Sequence, residues 1–533
     1  MHDTSEFDNQ ENHQSRHHAP RLRTILSDKS HRLADKINSW TLFAKIAVWV
    51  LLALITFIML SLGLSGKGWG IKLIEYLGIG AKPYQKTTIA LTLVGGIGAV
   101  GYLVIKYQER TAAQRAEQRT IEKQETENLL TAIHLLGDDK PSTRIAGVQS
   151  LVEIGQNHPD TRQRVIDILC GYLRTDRGEK DGPVESTILK TLQLHLVSPQ
   201  DNFKRESQIS NLNTQELYWN SIDIDLHNST FTEEVDFSHI KCRSFDMCNA
   251  KLSSAKVANF CEAVFENSGY FCGIDFTSGG HLNFIRAEFK GFANFSHTNL
   301  CSANFREVKI AKGDFSKSEL IHTNFSKAHI YNTKFEYTKL NHPDFNEAIF
   351  DSVYFGKASF TNPCFRTSSI TNSFFNDVKL IDADFDHAGI INTCFNAIKI
   401  KDSHFYDAFL KKAKFSNSSF ENIDFKSSQF VTKTAFRDVV FNKYANFRSS
   451  LIGDPQSLHE EEALSFTKSN FFCNPNFIDI NCYDPIVFKD THFLKNFSRL
   501  IHLNTSIKTQ GELLFNLDSP GSKQSCTKTT REK

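Results

Sequence analysis

Residues 291–320 read GFANF SHTNL CSANF REVKI AKGDF SKSEL, and the spacing of their apolar residues decides the fold. Every fifth position is large and apolar: Phe295, Leu300, Phe305, Ile310, Phe315 and Leu320. The pattern runs on through Phe325, Ile330, Phe335, Leu340, Phe345, Phe385 and Phe425 to Phe430 without an exception. That makes 28 consecutive positions: 18 Phe, five Leu and five Ile. Two residues before each stands a mostly small or β-branched side chain, such as Ala293, Thr298, Ala303, Val308, Gly313 and Ser318. Asn, Asp, Lys, His and Ser fill the places between.

Neither helix nor plain strand explains a period of five. In a helix of 3.6 residues per turn, a five-residue step rotates by about 140° and scatters the Phe around the axis. In a strand, side chains alternate, so successive Phe would point to opposite faces. A chain that turns a square corner every five residues sends one large and one small side chain inward on each side. Four sides make a coil of about twenty residues, and stacked coils pair their backbones at about 4.8 Å. The 28 pentads then give seven coils, roughly 34 Å of rod at that spacing. Frayed pentads from Phe237 to Phe265 and from Phe436 to Phe447 extend the expectation to ten or eleven. Phe alternates with Leu or Ile from Phe295 to Leu340, which puts Phe on two opposite faces and aliphatics on the other two. Phe345 to Phe365 is all Phe, so a bulkier or deformed core is expected there.

Pentads such as CSANF, IHTNF, GKASF, IDADF and KKAKF resemble the pentapeptide-repeat family, whose consensus is Ala-(Asp/Asn)-Leu-x-x with a central Leu or Phe. The resemblance covers about 228–450 and is most regular over 291–430. It implies a mainly β fold, a right-handed quadrilateral β-helix. Exposed coil ends would polymerise by edge pairing, so caps are expected. Residues 200–227 are expected to cap one end. Residues 451–517 are expected to cap the other or to form a small appended segment. Homo-oligomerisation through an end is the competing solution, and 518–533 is expected to be a disordered tail.

Two α-helical regions precede the rod. Ile46–Leu64 and Thr87–Ile105 are each nineteen uncharged residues. Nineteen residues rise roughly 28 Å as a helix, about one hydrocarbon core. They predict a transmembrane hairpin over 43–106, after a disordered polar tail over 1–42. Six basic residues from Arg21 to Lys45 precede the first span and five from Lys106 to Lys123 follow the second, against four in the loop. Both termini are therefore expected in the cytoplasm, in a bacterial inner or plasma membrane. Gly96–Gly101 matches G-x-G-x-x-G, but no second strand comes after it, so it reads as small residues for close helix packing. Residues 107–176 read as a charged linker and a pair of amphipathic helices like one HEAT repeat, with Ser142 and Asp160 as caps.

Composition bounds the function. Lys+Arg is 61 and Asp+Glu 60, and residues 228–450 hold 26 basic and 24 acidic residues. A near-neutral rod does not imitate a polyanion, which disfavours a topoisomerase-interacting rod of the quinolone-resistance type, and no nucleic-acid partner is expected. The eleven cysteines form no CxxC and read as free thiols in a reducing compartment. No catalytic residue, metal ligand or cofactor is assigned, because no nucleophile elbow, P-loop or HExxH occurs. The expected role is a membrane-anchored, non-catalytic scaffold that binds a protein on its β-helix surface. The alternative is a structural or transport-associated membrane component.

Overall fold

The computed structural model describes residues 83–178, 181–197, 218–252, 257–276, 279–454, 463–484, 486–493, 508–509 and 513–516, with isolated positions between 48 and 58. The chain divides into two compact units at Thr126/Glu127, and each is described by itself.

Helix α1 spans Pro83–Leu136. Gly96–Gly101 lies inside this continuous helix rather than at a strand-to-helix turn. Among the described residues, no helix is long and apolar enough to cross a membrane. The expected span 46–64 lies almost wholly outside the described residues, as do the tails 1–42 and 518–533.

Three further helices come next: α2 (Pro141–Asn157), α3 (Arg162–Arg174) and α4 (Gly182–Leu196). The expected helix pair over 107–176 is thus three helices reaching 196. Pro183 sits in the first turn of α4, where its missing N–H costs nothing. The expected caps are also corrected. Ser142 lies inside the first turn of α2, which starts at Pro141 without a side-chain cap, and Asp160 belongs to a 3-10 turn.

From Asp223 onward the chain winds as a β-helix of parallel ladders. One in-register column runs Cys242, Phe265, Phe289, Ile310, Ile330, Phe350, Ile370, Ile390, Leu410, Phe430, Ile452, Cys482, Thr509. Its thirteen members mark thirteen coils. Steps of twenty residues hold from Ile310 to Phe430, whereas Ile452 to Cys482 takes thirty and Cys482 to Thr509 takes 27. The described strands between Leu451 and Asn516 therefore continue the ladders of the coil instead of forming a separate cap. Their longer steps erase the five-residue period, which is why the sequence suggests only ten or eleven coils.

The interior is four columns of side chains. Two opposite columns are Phe throughout, Phe245 to Phe488 and Phe237 to Phe477. Consecutive rings stack at 4.5–5.8 Å. The columns between them are mostly aliphatic from Leu300 to Leu410 and mix Phe with Leu and Ile toward both ends. Around Phe350 and Phe360 the register holds and the rings tilt: Phe325/Phe345 lie 25° from parallel, against 4° for Phe305/Phe325 and 3° for Phe365/Phe385. The extra aromatic bulk is absorbed by ring rotation, not by the backbone.

Corners have a chemical cause. Asn or Asp just before a core residue accepts the backbone N–H two residues on, as Asn324 Oδ1 does from Ser326 (2.8 Å) and Asp344 Oδ1 from Asn346 (2.9 Å). The residue after that N–H adopts a left-handed conformation, as at Lys327 and Glu347, and the same conformation recurs at corners without an Asn or Asp acceptor, such as Asn362 and Asp382. Most inward hydroxyls are satisfied by backbone: Ser318 Oγ donates to the Phe295 carbonyl at 2.6 Å and Thr393 Oγ1 to that of Ile370 at 3.1 Å, whereas Ser229 Oγ is buried without a partner among the described residues.

One cysteine expectation fails. Cys248 and Cys272 form a disulfide, because one coil of 24 residues separates them and stacks one on the other, Cα to Cα 4.6 Å. Eight other described cysteines are free.

Candidate binding faces

The β-helix meets its first neighbours at the N-terminal end. Gln163 of α3 pairs with the edge strand as a backbone group would: its Nε2 donates to the Asp223 carbonyl (2.8 Å) and its Oε1 accepts the Asp223 N–H (2.9 Å). Glu185 of α4 is buried and accepts the backbone N–H groups of Thr232 (2.8 Å) and Glu233 (2.9 Å). Arg177 neutralises it at 2.9 Å. Leu192, Leu196 and Trp219 join the same apolar cluster as Ile224 and Phe231. The cap is thus the helical module. Of the expected cap 200–227, residues 200–217 lie outside the described residues and Asp223–Asp225 is the first strand.

The sequence-predicted core residues all point inward. Phe295, Phe305, Phe315, Phe325, Phe335, Phe345, Phe385 and Phe425 are fully buried in the two Phe columns. Leu300, Leu320 and Leu340 line a third column, with Ile310 and Ile330 in the fourth, all at most 1% exposed. The packed interior leaves chemistry only to the outward side chains.

Those form four faces, lettered by the core column each covers. Face A covers Ile330 to Phe430, face B Phe335 to Phe436, face C Leu320 to Phe420 and face D Phe325 to Phe425. Each of six coils offers three outward positions per face, the neighbours of the core residue and the corner. Face A carries three charged residues in eighteen (Asp351, Lys411 and Lys412), face B seven, face C eight and face D nine. Sequence reading finds the pentads but cannot sort them, because a face emerges only when every fourth pentad is aligned.

Face D holds the densest cluster. His404 Nε2 lies 3.6 Å from Asp384 Oδ1 and 3.9 Å from Asp386 Oδ2. Arg366 approaches both carboxylates at 3.3 Å, and Asp386 Oδ1 accepts the Tyr406 N–H at 3.0 Å. Three such donors have the spacing to hold a cation. The guanidinium already supplies the positive charge, so the cluster reads as an ion-pair network. At the first coil, Asp225, His227 and Asp246 make a similar group, with Arg174 paired to Asp225.

Cysteine chemistry is muted. Burial pushes the Cys482 thiol up to about 12 and Cys473 up to about 11. The disulfide apart, the described thiols are poor nucleophiles where a shift is resolved.

Residues 283–326 match the family model for pentapeptide repeats in eight copies. No curated protein matches the chain. Among solved structures, it is similar to HetL from the cyanobacterium Nostoc, a pentapeptide-repeat protein involved in heterocyst differentiation regulation. That similarity has 12% identity over 43% of this chain and 94% of that one, with a TM-score of 0.16. Full-length QnrB1, a plasmid-mediated fluoroquinolone resistance protein, shares 11% identity over 36% of this chain and 97% of its own, also at 0.16. Residues 283–326 are thus pentapeptide repeats by the family model, and the coils on either side share their ladder geometry.

Proposed function

We propose that the chain is a membrane-anchored scaffold whose β-helix binds a protein partner and catalyses nothing. One observation carries the binding reading: the outward faces of a uniform core differ threefold in charge, from three residues in eighteen on face A to nine on face D. A rod selected only for stability has no need of faces so unlike one another. Side chains at fixed spacing on a rigid rod suit recognition.

Anchorage rests on the sequence of the two apolar runs. It is supported by exposed apolar side chains at Leu51 (59%), Ile55 (49%), Val100 (54%) and Leu103 (65%), surface that a bilayer would cover. The distribution of basic residues puts both termini in the cytoplasm. The disulfide pulls the other way, since such bonds persist in oxidising compartments, while the eight free cysteines favour a reducing one. Thiol trapping in intact cells decides: a cytoplasmic rod keeps Cys248 and Cys272 reduced, and an external one oxidises them.

The scaffold reading is tested by proximity labelling in the native cell, full-length chain against a chain ending at Val197. One or a few proteins labelled only by the full-length chain support it. Identical labelling by both would move the function to the anchor and helices.

A further inference from the structure

We infer that face A takes a second copy of this chain, lying antiparallel, as a two-fold dimer. The inference rests on the scaffold reading and assigns an occupant to one face. Face A is a flat parallel ladder, and two such faces pack with side chains interdigitating about 10 Å apart.

The order of residues along the ladder selects the occupant. One outward column reads Ile349, Ser369, Gly389, Phe409, large at both ends and small in the middle. The parallel column reads Asp351, Thr371, Ile391, Lys411, acidic at one end and basic at the other. Turn a copy end for end about a two-fold axis between Thr371 and Ile391, and both columns complement themselves. Ile349 meets Phe409 of the second copy, Ser369 meets Gly389, and Asp351 meets Lys411. One coil further out, Tyr331 (36% exposed) meets Val431, and His329 meets Gln429. No like charges oppose each other in this register.

In the parallel arrangement, with each coil facing its equal, the two-fold along the rod exchanges the columns, so Lys411 faces Phe409 and Asp351 faces Ile349 and neither charge meets an opposite one. One-coil shifts of the antiparallel register leave Asp351 and Lys411 unmatched. The six coils measure about 29 Å along the axis at the strand spacing. A patch of that length and one face wide falls at or below the lower end of stable interfaces, so a weak, micromolar dimer is expected. Anchoring both copies in one bilayer would raise their effective concentration.

The test is sedimentation of the full-length chain in detergent or nanodiscs, from about 1 to 100 µM. Wild type should pass from monomer to dimer in that range. Asp351→Lys and Lys411→Asp should each weaken the dimer roughly tenfold, because the symmetry repeats the clash twice. The double variant should regain wild-type association. Both residues are on the surface, so circular dichroism should show each variant folded. A wild type that stays monomeric at the top of the range, or a double variant no better than the singles, overturns the inference. A monomeric chain that still labels its own partner in cells leaves the scaffold reading standing.

Discussion

The regular coils between Ile310 and Phe430 and the coils at the two ends are built on different rules. In the middle, every twenty residues return the same inward pair to the same column, so stability is shared among near-identical contacts. At the N-terminal end, stability depends on single contacts such as Glu185 with the Thr232 and Glu233 backbone. At the other end, coils of thirty and 27 residues keep the columns while losing the period. Repetition makes a core that can be read from one line of sequence, whereas termination takes non-repeating side chains.

The largest effect should come from the middle core. Phe335→Ala removes a fully buried ring stacked on both neighbours and should cost about 3–5 kcal/mol, measured by thermal or urea unfolding. The same change at Phe493, a half-buried ring near the far end, should cost clearly less. Equal losses would break the contrast between middle and end.

At the cap, Glu185→Ala strands two backbone donors and takes from Arg177 the nearer of its two carboxylate partners, leaving Asp181. A loss of about 2–4 kcal/mol is expected, with faster hydrogen exchange concentrated at 223–236. Exchange rising evenly along the rod would mean that the cap has no special role.

A smaller effect is expected where the middle tolerates irregularity. Phe360→Leu matches Leu340 and Leu380, its neighbours one coil to either side, so stability should change by less than about 1.5 kcal/mol. The tilt of Phe345 on Phe365, now 18°, should relax toward the 3° of Phe365 on Phe385, as a crystal structure of the variant would show.

The smallest effect is kinetic. A thiol whose pKa is raised is protonated below that value, so its thiolate fraction grows about tenfold per pH unit up to it. Cys473 and Cys482, raised to about 11 and about 12, should alkylate slowly at pH 8 and faster at pH 10. Fast labelling of the folded chain at pH 8 would show that the end coils open readily.

Much of this fold is legible in sequence because a five-residue period fits neither helix nor strand. The alternation of Phe with Leu and Ile likewise foreshadows the two Phe columns. What is not legible has physical reasons. The coils past Leu451 carry extra residues that break the period without breaking the ladder. Helix α4 hides behind Gly182 and Pro183, a pair that ends one helix or starts another according to its neighbours. The Cys248–Cys272 bond depends on a coil length of 24 residues, set by insertions that the regular repeat does not foretell. The faces stay hidden until the coils are stacked, since Asp351 and Lys411 are sixty residues apart in sequence and share one column in space.

Proximity labelling of a face-reversed variant in the native cell tests the scaffold reading most directly. Glu347→Lys and Asp407→Lys together reverse the sign of face D, whose nine charged residues are six acidic and three basic, while leaving the corner-forming carboxylates, the core and face A untouched. A binding rod loses one or a few labelled partners with this variant and keeps the rest. Labelling identical to wild type, in a variant that folds and reaches the same membrane, would contradict recognition by the most charged face.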